Sequence, residues 1–307
     1  MATENETLNM TSGLHSLTDH HNTGNAFLII TYTIVFIGGV TGAITMSFLL
    51  LKMNTLSVTT TAIINLVVIH SLFLITVPFR LYYYSTDKWI FGFFFCRFVS
   101  IMVHLHMYLT FLFYVIVLVI RGLIFFQWKD KVEFYRNLHA VATSTAVWIL
   151  ALLTIVPVML LWYGQSGDYH DSKCFTFQQE FKMDSVKAVN YTIIAVVLII
   201  TLILLGLQTF IVLKVVRKVS GSVWSHQEFR AQLKSMCFVC VIIFCFLPHH
   251  IFRIYYIQYV NNKQYSESHI YNEICLSITS ISCLDLFSFG IFGNKLLRQK
   301  ICSCSCC

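Results

Sequence analysis

The chain has 307 residues, 57% of them hydrophobic and 15% aromatic but only 11% charged. So few charges exclude a water-soluble globular domain. The formal net charge of +7 is spread over short segments rather than gathered in one patch, which excludes nucleic acid as its reason.

Residues 1–25 are polar and lack the basic start and apolar centre of a cleavable signal peptide. The first apolar run therefore serves as the insertion signal. "NET" at Asn5 and "NMT" at Asn9 fit the glycan acceptor pattern, and glycosylation is expected there. "NYT" at Asn190 fits too, but it falls at the start of a membrane helix and is discounted. Runs free of Lys, Arg, Asp and Glu follow at 26–51, 98–120, 140–163, 188–213 and 235–252. Two more, 58–84 and 274–294, contain only Arg80 and only Asp285. A span needs about 20 apolar residues, so the chain reads as seven membrane helices, an all-α bundle. Its parts are an extracellular N-terminus (1–25), a seven-helix domain (26–293) and a tail (294–307).

Between the third and fourth runs, and at the other segments that would share their side, lie thirteen Lys and Arg, from Lys52 to Lys300, against Asp130, Glu133 and Glu228. On the opposite side eight basic residues face ten acids, Asp285 apart. Basic residues resist translocation, so the N-terminus is placed outside and the C-terminus in the cytoplasm of a multi-pass plasma-membrane protein.

Of eleven cysteines, Cys96 at the head of the third run and Cys174 in the 164–186 loop are the two placed clearly in the oxidising exterior, and a bridge between them is expected. Cys237, Cys240, Cys245 and Cys283 fall inside helices and read as small apolar fillers. The tail "NKLLRQKICSCSCC" has apolar and basic residues at helical spacing, as in a helix lying on the bilayer surface. Its Cys302, Cys304, Cys306 and Cys307 are candidates for palmitoylation.

Seven spans and this bridge resemble the rhodopsin-like (class A) G-protein-coupled receptors. "WIFG" at 89–92 before Cys96 is similar to that family's first-loop signature, and Arg121, 25 residues after Cys96, matches its G-protein-contacting arginine. Trp148 matches the fourth-helix tryptophan. "CFLP" at 245–248 resembles the Cys-Trp-x-Pro switch, with Phe246 for the tryptophan ahead of Pro248. "DLFSF" at 285–289 resembles Asp-Pro-x-x-Tyr. The resemblance also implies that Glu228, near the inner end of the sixth helix, pairs with Arg121. Departures accompany the matches: Arg121 stands in "IRG" without the family's flanking acid and tyrosine, and Ala43 replaces the first-helix asparagine.

Polar residues inside the spans need partners, because a buried charge in lipid costs several kcal/mol. His70 occupies the family's sodium-site aspartate position, and Asp285 is its expected partner in place of sodium. His104 and His106 point to different faces at their i, i+2 spacing, so each reads as a packed, hydrogen-bonded histidine and no metal site is expected from the pair. In "FLPHHIFRIYY" His249 and His250 precede Arg253 by four and three residues, placing all three on one helical face. Two readings stand side by side. Arg253 either faces a pocket and anchors an anionic ligand, as similar "HxxR" positions do in nucleotide- and lipid-acid-binding members, or snorkels to the outer interface. His104, Tyr108 and Arg80 complete the candidate ligand set, with Arg80, Arg97 and Lys187 expected at the outer rim.

The expected function is that of a receptor passing an extracellular signal, an anionic small molecule, nucleotide or lipid acid, to a heterotrimeric G protein, with arrestin as a further partner. The alternatives are an atypical, scavenging receptor without G-protein activation and a small transporter or channel. A transporter predicts inverted halves and several midplane charges, which the sequence lacks. No nucleophile or metal cluster for an enzyme is found, and no cofactor is implied.

Overall fold

A computed structural model describes residues 2–52, 58–126, 136–161, 173–175, 178–218, 227–259 and 268–286; the side chains of residues 2–21 and of some helix ends are outside this description. Seven helices, with no strand among the described residues, form the bundle. The first four are Ala2–Leu51, Val58–Thr86, Phe93–Phe125 and Arg136–Leu161. The fifth is Asp184–Lys218. The sixth runs Gln227–Val241, passes through a π-helical turn Ile242–Phe246, and continues as Leu247–Tyr259. The seventh is Ser268–Ser280, followed by a 3₁₀ turn Ile281–Leu284.

Five of these contain described stretches long and apolar enough to cross a membrane: Asn22–Leu51, Thr60–Thr86, Phe93–Leu123, Asp184–Arg217 and Ser235–Tyr259. They coincide with five of the expected runs, since side-chain apolarity and length are all that the bilayer requires of a helix. The first helix differs from expectation at its start. It extends back through the polar residues to Ala2, and with no proline among residues 1–25 nothing there breaks the ladder.

Helical spacing divides each span into a bundle side and a lipid side. On the first helix Leu28, Tyr32 and Val35 are fully buried, while Ile30, Ile34, Ile37, Ile44 and Phe48 are exposed. In lipid that exposed stripe is a solvent contact. Gly38 and Gly39 let this helix approach the seventh and the second: a Cβ on Gly38 would meet Leu284, and one on Gly39 would meet Leu74 and Cys283. The third helix is the axis of the bundle, touching the second, fourth, fifth, sixth and seventh. Its His106, Met107, Leu109, Thr110, Phe113, Tyr114 and Val117 are sealed from solvent.

All three prolines, Pro78, Pro157 and Pro248, lie inside helices. Pro248 lacks an N–H and its ring crowds the preceding turn; the widened turn just before it relieves that conflict, with the Leu247 N–H donating to the Ile242 carbonyl. The irregularity that Pro248 introduces is thus a π turn. In the seventh helix hydroxyls tighten the chain. Ser277, Thr279, Ser280 and Ser282 each donate to the carbonyl three residues earlier, at 2.8, 2.6, 2.5 and 2.8 Å. This back-bonding favours the 3₁₀ turn, which carries Cys283 and delivers Asp285 to the core.

Candidate functional site

Cys96 and Cys174 are bridged, as expected, and tie the loop after the fourth helix to the head of the third. The bridge fixes Phe175, whose φ of 67° is a left-handed conformation unusual for a bulky residue. Aromatic neighbours hold it there: Tyr83, Tyr84 and Trp89 surround its ring, and His269 Nε2 bonds its carbonyl at 2.8 Å. Phe175 thereby closes over the bundle end.

Beneath it lies Arg80. Expected at the rim, it is instead 1% exposed, with its guanidinium 4.2 Å from the Phe175 ring centre. Arg80 pairs with Glu273 of the seventh helix at 3.5 Å and donates to the Tyr32 hydroxyl at 3.3 Å. The Tyr84 hydroxyl donates to Glu273 at 2.8 Å. A charge one turn from a span's end can turn inward when an acid waits there. Sequence reasoning missed Glu273; its only signal was an acid immediately before the last apolar run. Of the other two residues expected at the rim, Arg97 and Lys187 are half-buried, and Lys187 pairs with Asp184 at 3.0 Å.

Arg253 does not snorkel outward. It is buried, donating to Asn272 Oδ1 at 3.0 Å and to Asn190 Oδ1 at 3.5 Å, and its guanidinium lies 4.6 Å from the Phe181 ring centre and 5.5 Å from that of Tyr256. His249 and His250 are buried with it, as the shared helical face requires. His250 Nδ1 bonds the Phe246 carbonyl at 2.8 Å, and its ring sits edge-on to Tyr108. His249 Nδ1 and His250 Nε2 are sealed from solvent and have no hydrogen-bond partner among the described residues. His104, half-buried, bonds the Ser100 carbonyl of its own helix at 2.9 Å. A cleft lined by Asn22, Asn25, Ile29, Tyr84 and Asp87 opens between the first two helices, away from Arg253.

Deeper in the bundle Phe246 is fully buried against Phe111 and Tyr114. The Tyr114 hydroxyl donates to Asp285 Oδ2, and His70 Nε2 approaches Asp285 Oδ1 at 3.3 Å. The expected His70–Asp285 pair is therefore present, close enough for an ion pair though off the line of a hydrogen bond. His106 faces His70, with 2.9 Å between Nε2 and Nδ1, while His104 faces elsewhere, as the i, i+2 spacing implied. Cys283 is no mere filler, lying 3.3 Å from His106 Nε2. Cys245 is buried as expected, but Cys237 and Cys240 are exposed on the bundle's lipid side, since the sixth helix turns that face outward.

At the end remote from the disulfide, Arg121 donates to Ser235 Oγ at 3.0 Å and stacks over Phe238. Trp148 donates to Asn65 at 2.8 Å, and Asn65 to Ser144 at 3.0 Å, joining the second and fourth helices. The side chains of Glu228, Asn5 and Asn9 are outside the description, and Cys302, Cys304, Cys306 and Cys307 with the expected tail helix lie outside the described residues.

Residues 42–285 match the family described as 7 transmembrane receptor (rhodopsin family). The chain belongs to that family. The receptor is 52% identical to Probable G-protein coupled receptor 141 of Homo sapiens, over 89% of this chain and 90% of the relative. It is also similar to 2-oxoglutarate receptor 1 of Mus musculus, 24% identical over 96% of this chain and 87% of the relative. With the N-arachidonyl glycine receptor of Homo sapiens it shares 22% identity over 77% of this chain and 71% of that one. As a rhodopsin-family receptor it is a multi-pass membrane protein that couples an extracellular ligand to a G protein.

Proposed function

We propose that this receptor sits in the plasma membrane with the disulfide end outside and is activated by a carboxylate-bearing ligand held at Arg253. The observation that carries the reading is the position of Arg253: a fixed cation inside the bundle, oriented by two amide oxygens and flanked by buried histidine nitrogens that have no partner among the described residues. An arginine fork suits a carboxylate or phosphate better than any other side chain does, and each charge-assisted bond contributes about 1.5 to 3 kcal/mol. Two relatives point the same way. 2-Oxoglutarate is a dicarboxylate and N-arachidonyl glycine a lipid carboxylate, and receptors named for them are similar to this chain. Phe181, whose ring centre is 4.6 Å from the Arg253 guanidinium, is the apolar neighbour that the carbon chain of such a ligand would meet. Arginine at the opposite end, Arg121, is the contact offered to the G protein, and arrestin is a further partner of that face.

Cells expressing the receptor, exposed to short dicarboxylates and to acyl amino acids with a G-protein dissociation readout, test this directly. Activation by at least one carboxylate, absent for its amide or ester, is the expected result; a response indifferent to removal of the negative charge contradicts it. One observation keeps a second reading in view. Arg121 stands in "IRG" with no acid beside it in sequence, which is the pattern of a receptor that internalises ligand without G-protein activation. Ligand-driven endocytosis with no dissociation of any G protein would select that reading.

A further inference from the structure

His70 of the second helix, His106 of the third and Cys283 of the seventh offer three ligand atoms that all lie within 4.8 Å of one another. All three residues are 0% exposed. His70 Nδ1 is 2.9 Å from His106 Nε2, and Cys283 Sγ is 3.3 Å from that same nitrogen. A tetrahedral zinc ion, with bonds of about 2.0–2.1 Å to nitrogen and about 2.3 Å to sulfur, holds its nitrogens about 3.3 Å apart and nitrogen from sulfur about 3.6 Å. Those two separations need to open by only a few tenths of an ångström, while the separation of His70 from Cys283, within 4.8 Å, settles toward about 3.6 Å.

Protons distribute poorly over the cluster without a metal. His70 Nε2 lies 3.3 Å from Asp285 Oδ1, which favours the proton there, and in the neutral ring Nδ1 is then a bare lone pair. His106 then has two poor choices. With the proton on Nε2 it can donate to His70, but Nδ1 becomes a bare acceptor, and that buried atom has no hydrogen-bond partner among the described residues. With the proton on Nδ1, two lone pairs face each other at 2.9 Å. A cation between them removes the conflict, and the Cys283 thiol, deprotonated, completes the donor set.

The outer contacts are those that a metal-bound histidine uses. Asp285 stands behind His70 on the ring nitrogen that faces away from the cluster, and Tyr114 donates to the other carboxylate oxygen. A carboxylate in that place fixes the tautomer of the ligand and raises its basicity. Charge also closes. One divalent ion, one thiolate and one carboxylate sum to zero, the condition under which ions tolerate burial in lipid.

We propose that His70, His106 and Cys283 form a zinc site that cross-links the second, third and seventh helices, with Asp285 orienting His70 and a water in the fourth position. The site stands apart from Arg253 and does not depend on which ligand is bound there. Zinc binding releases the Cys283 thiol proton and stabilises the arrangement in which these three helices converge.

The test uses the full-length receptor in nanodiscs, with Cys302, Cys304, Cys306 and Cys307 replaced by serine so that tail thiols cannot contribute. After chelator treatment it is titrated with Zn²⁺ and, separately, Co²⁺. The expected result is one retained zinc per chain, a chelator-reversible rise in melting temperature, and cobalt spectra with a thiolate charge-transfer band and the strong visible bands of four-coordination. Cys283→Ser abolishes the charge-transfer band, and His106→Gln weakens zinc binding more than about 100-fold. Asp285→Asn weakens it about 10- to 100-fold while leaving the band in place. His106→Gln serves as the second test if Cys283→Ser does not fold. Failure of the tail-serine protein to retain stoichiometric zinc overturns the proposal. So does a charge-transfer band that survives Cys283→Ser, which would assign the metal to another of the free cysteines.

Discussion

Arg80 and Arg253 are both buried near the disulfide, yet their surroundings give them different tasks. Arg80 meets a carboxylate, Glu273, which Tyr84 also bonds, so it staples the second helix to the seventh. Removing one member of such a pair leaves the other charge buried, at a cost of about 3–5 kcal/mol. Glu273→Gln is therefore expected to lower the thermal stability of the purified receptor sharply; a melting temperature equal to wild type would show that the pair contributes nothing. Arg253 is held by two amide oxygens, those of Asn272 and Asn190, and stacks on Phe181. His70 and Asp285 form the third intramembrane pair. Asp285→Asn and His70→Ala should each change stability, and a double-mutant cycle should give a coupling of about 0.5–3 kcal/mol. Strict additivity would refute the pairing. The His70–Asp285 pair was legible in the sequence, because a polar group inside an apolar run has to be satisfied by something, whereas Arg253 was legible only as a choice between two orientations. Glu273 and the His106–Cys283 contact were not, since each depends on which faces of distant helices meet.

At the level of elements, two helices owe their irregular turns to chemistry. In the seventh, four hydroxyls bonded to carbonyls three residues back tighten the chain, while in the sixth the missing N–H of Pro248 widens it. Helix positions were readable from apolar runs, but a π turn leaves no periodic mark of its own and only the proline hinted at it. The inner half of the sixth helix is held to the third by Ser235, which accepts from Arg121 at 3.0 Å. Glu228, the acid that the family resemblance pairs with Arg121, lies seven residues before Ser235 in the same helix. A hydrogen bond to a charged group is worth about 1.5–3 kcal/mol. Ser235→Ala should raise ligand-independent G-protein dissociation severalfold at matched surface expression, and Glu228→Ala should act in the same direction. Unchanged basal signalling in both would remove this contact from the restraint on the sixth helix.

Across the whole molecule the polar side chains are stacked in layers along an apolar bundle: Arg80 and Arg253 near the disulfide, His70, His106 and Asp285 in the core, Arg121 at the far end. The loop residue Phe175, fixed by the Cys96–Cys174 bridge, covers the first layer. Closing a loop across 78 residues contributes about 2–4 kcal/mol. Cys174→Ser should lower both thermal stability and ligand potency, and loss of stability alone would separate the loop from the site. The architecture was legible because lipid admits few structures and the cysteines were placed by side. What apolar runs cannot convey is which way a single arginine turns, and the account rests on that turn at Arg253. The most direct measurement is the potency of a carboxylate agonist in G-protein dissociation on wild type, Arg253→Lys and Arg253→Gln at equal surface expression. The account predicts at least a tenfold loss in both variants, about 1.4 kcal/mol, because neither lysine nor glutamine reproduces the charged fork. Wild-type potency in both would contradict it.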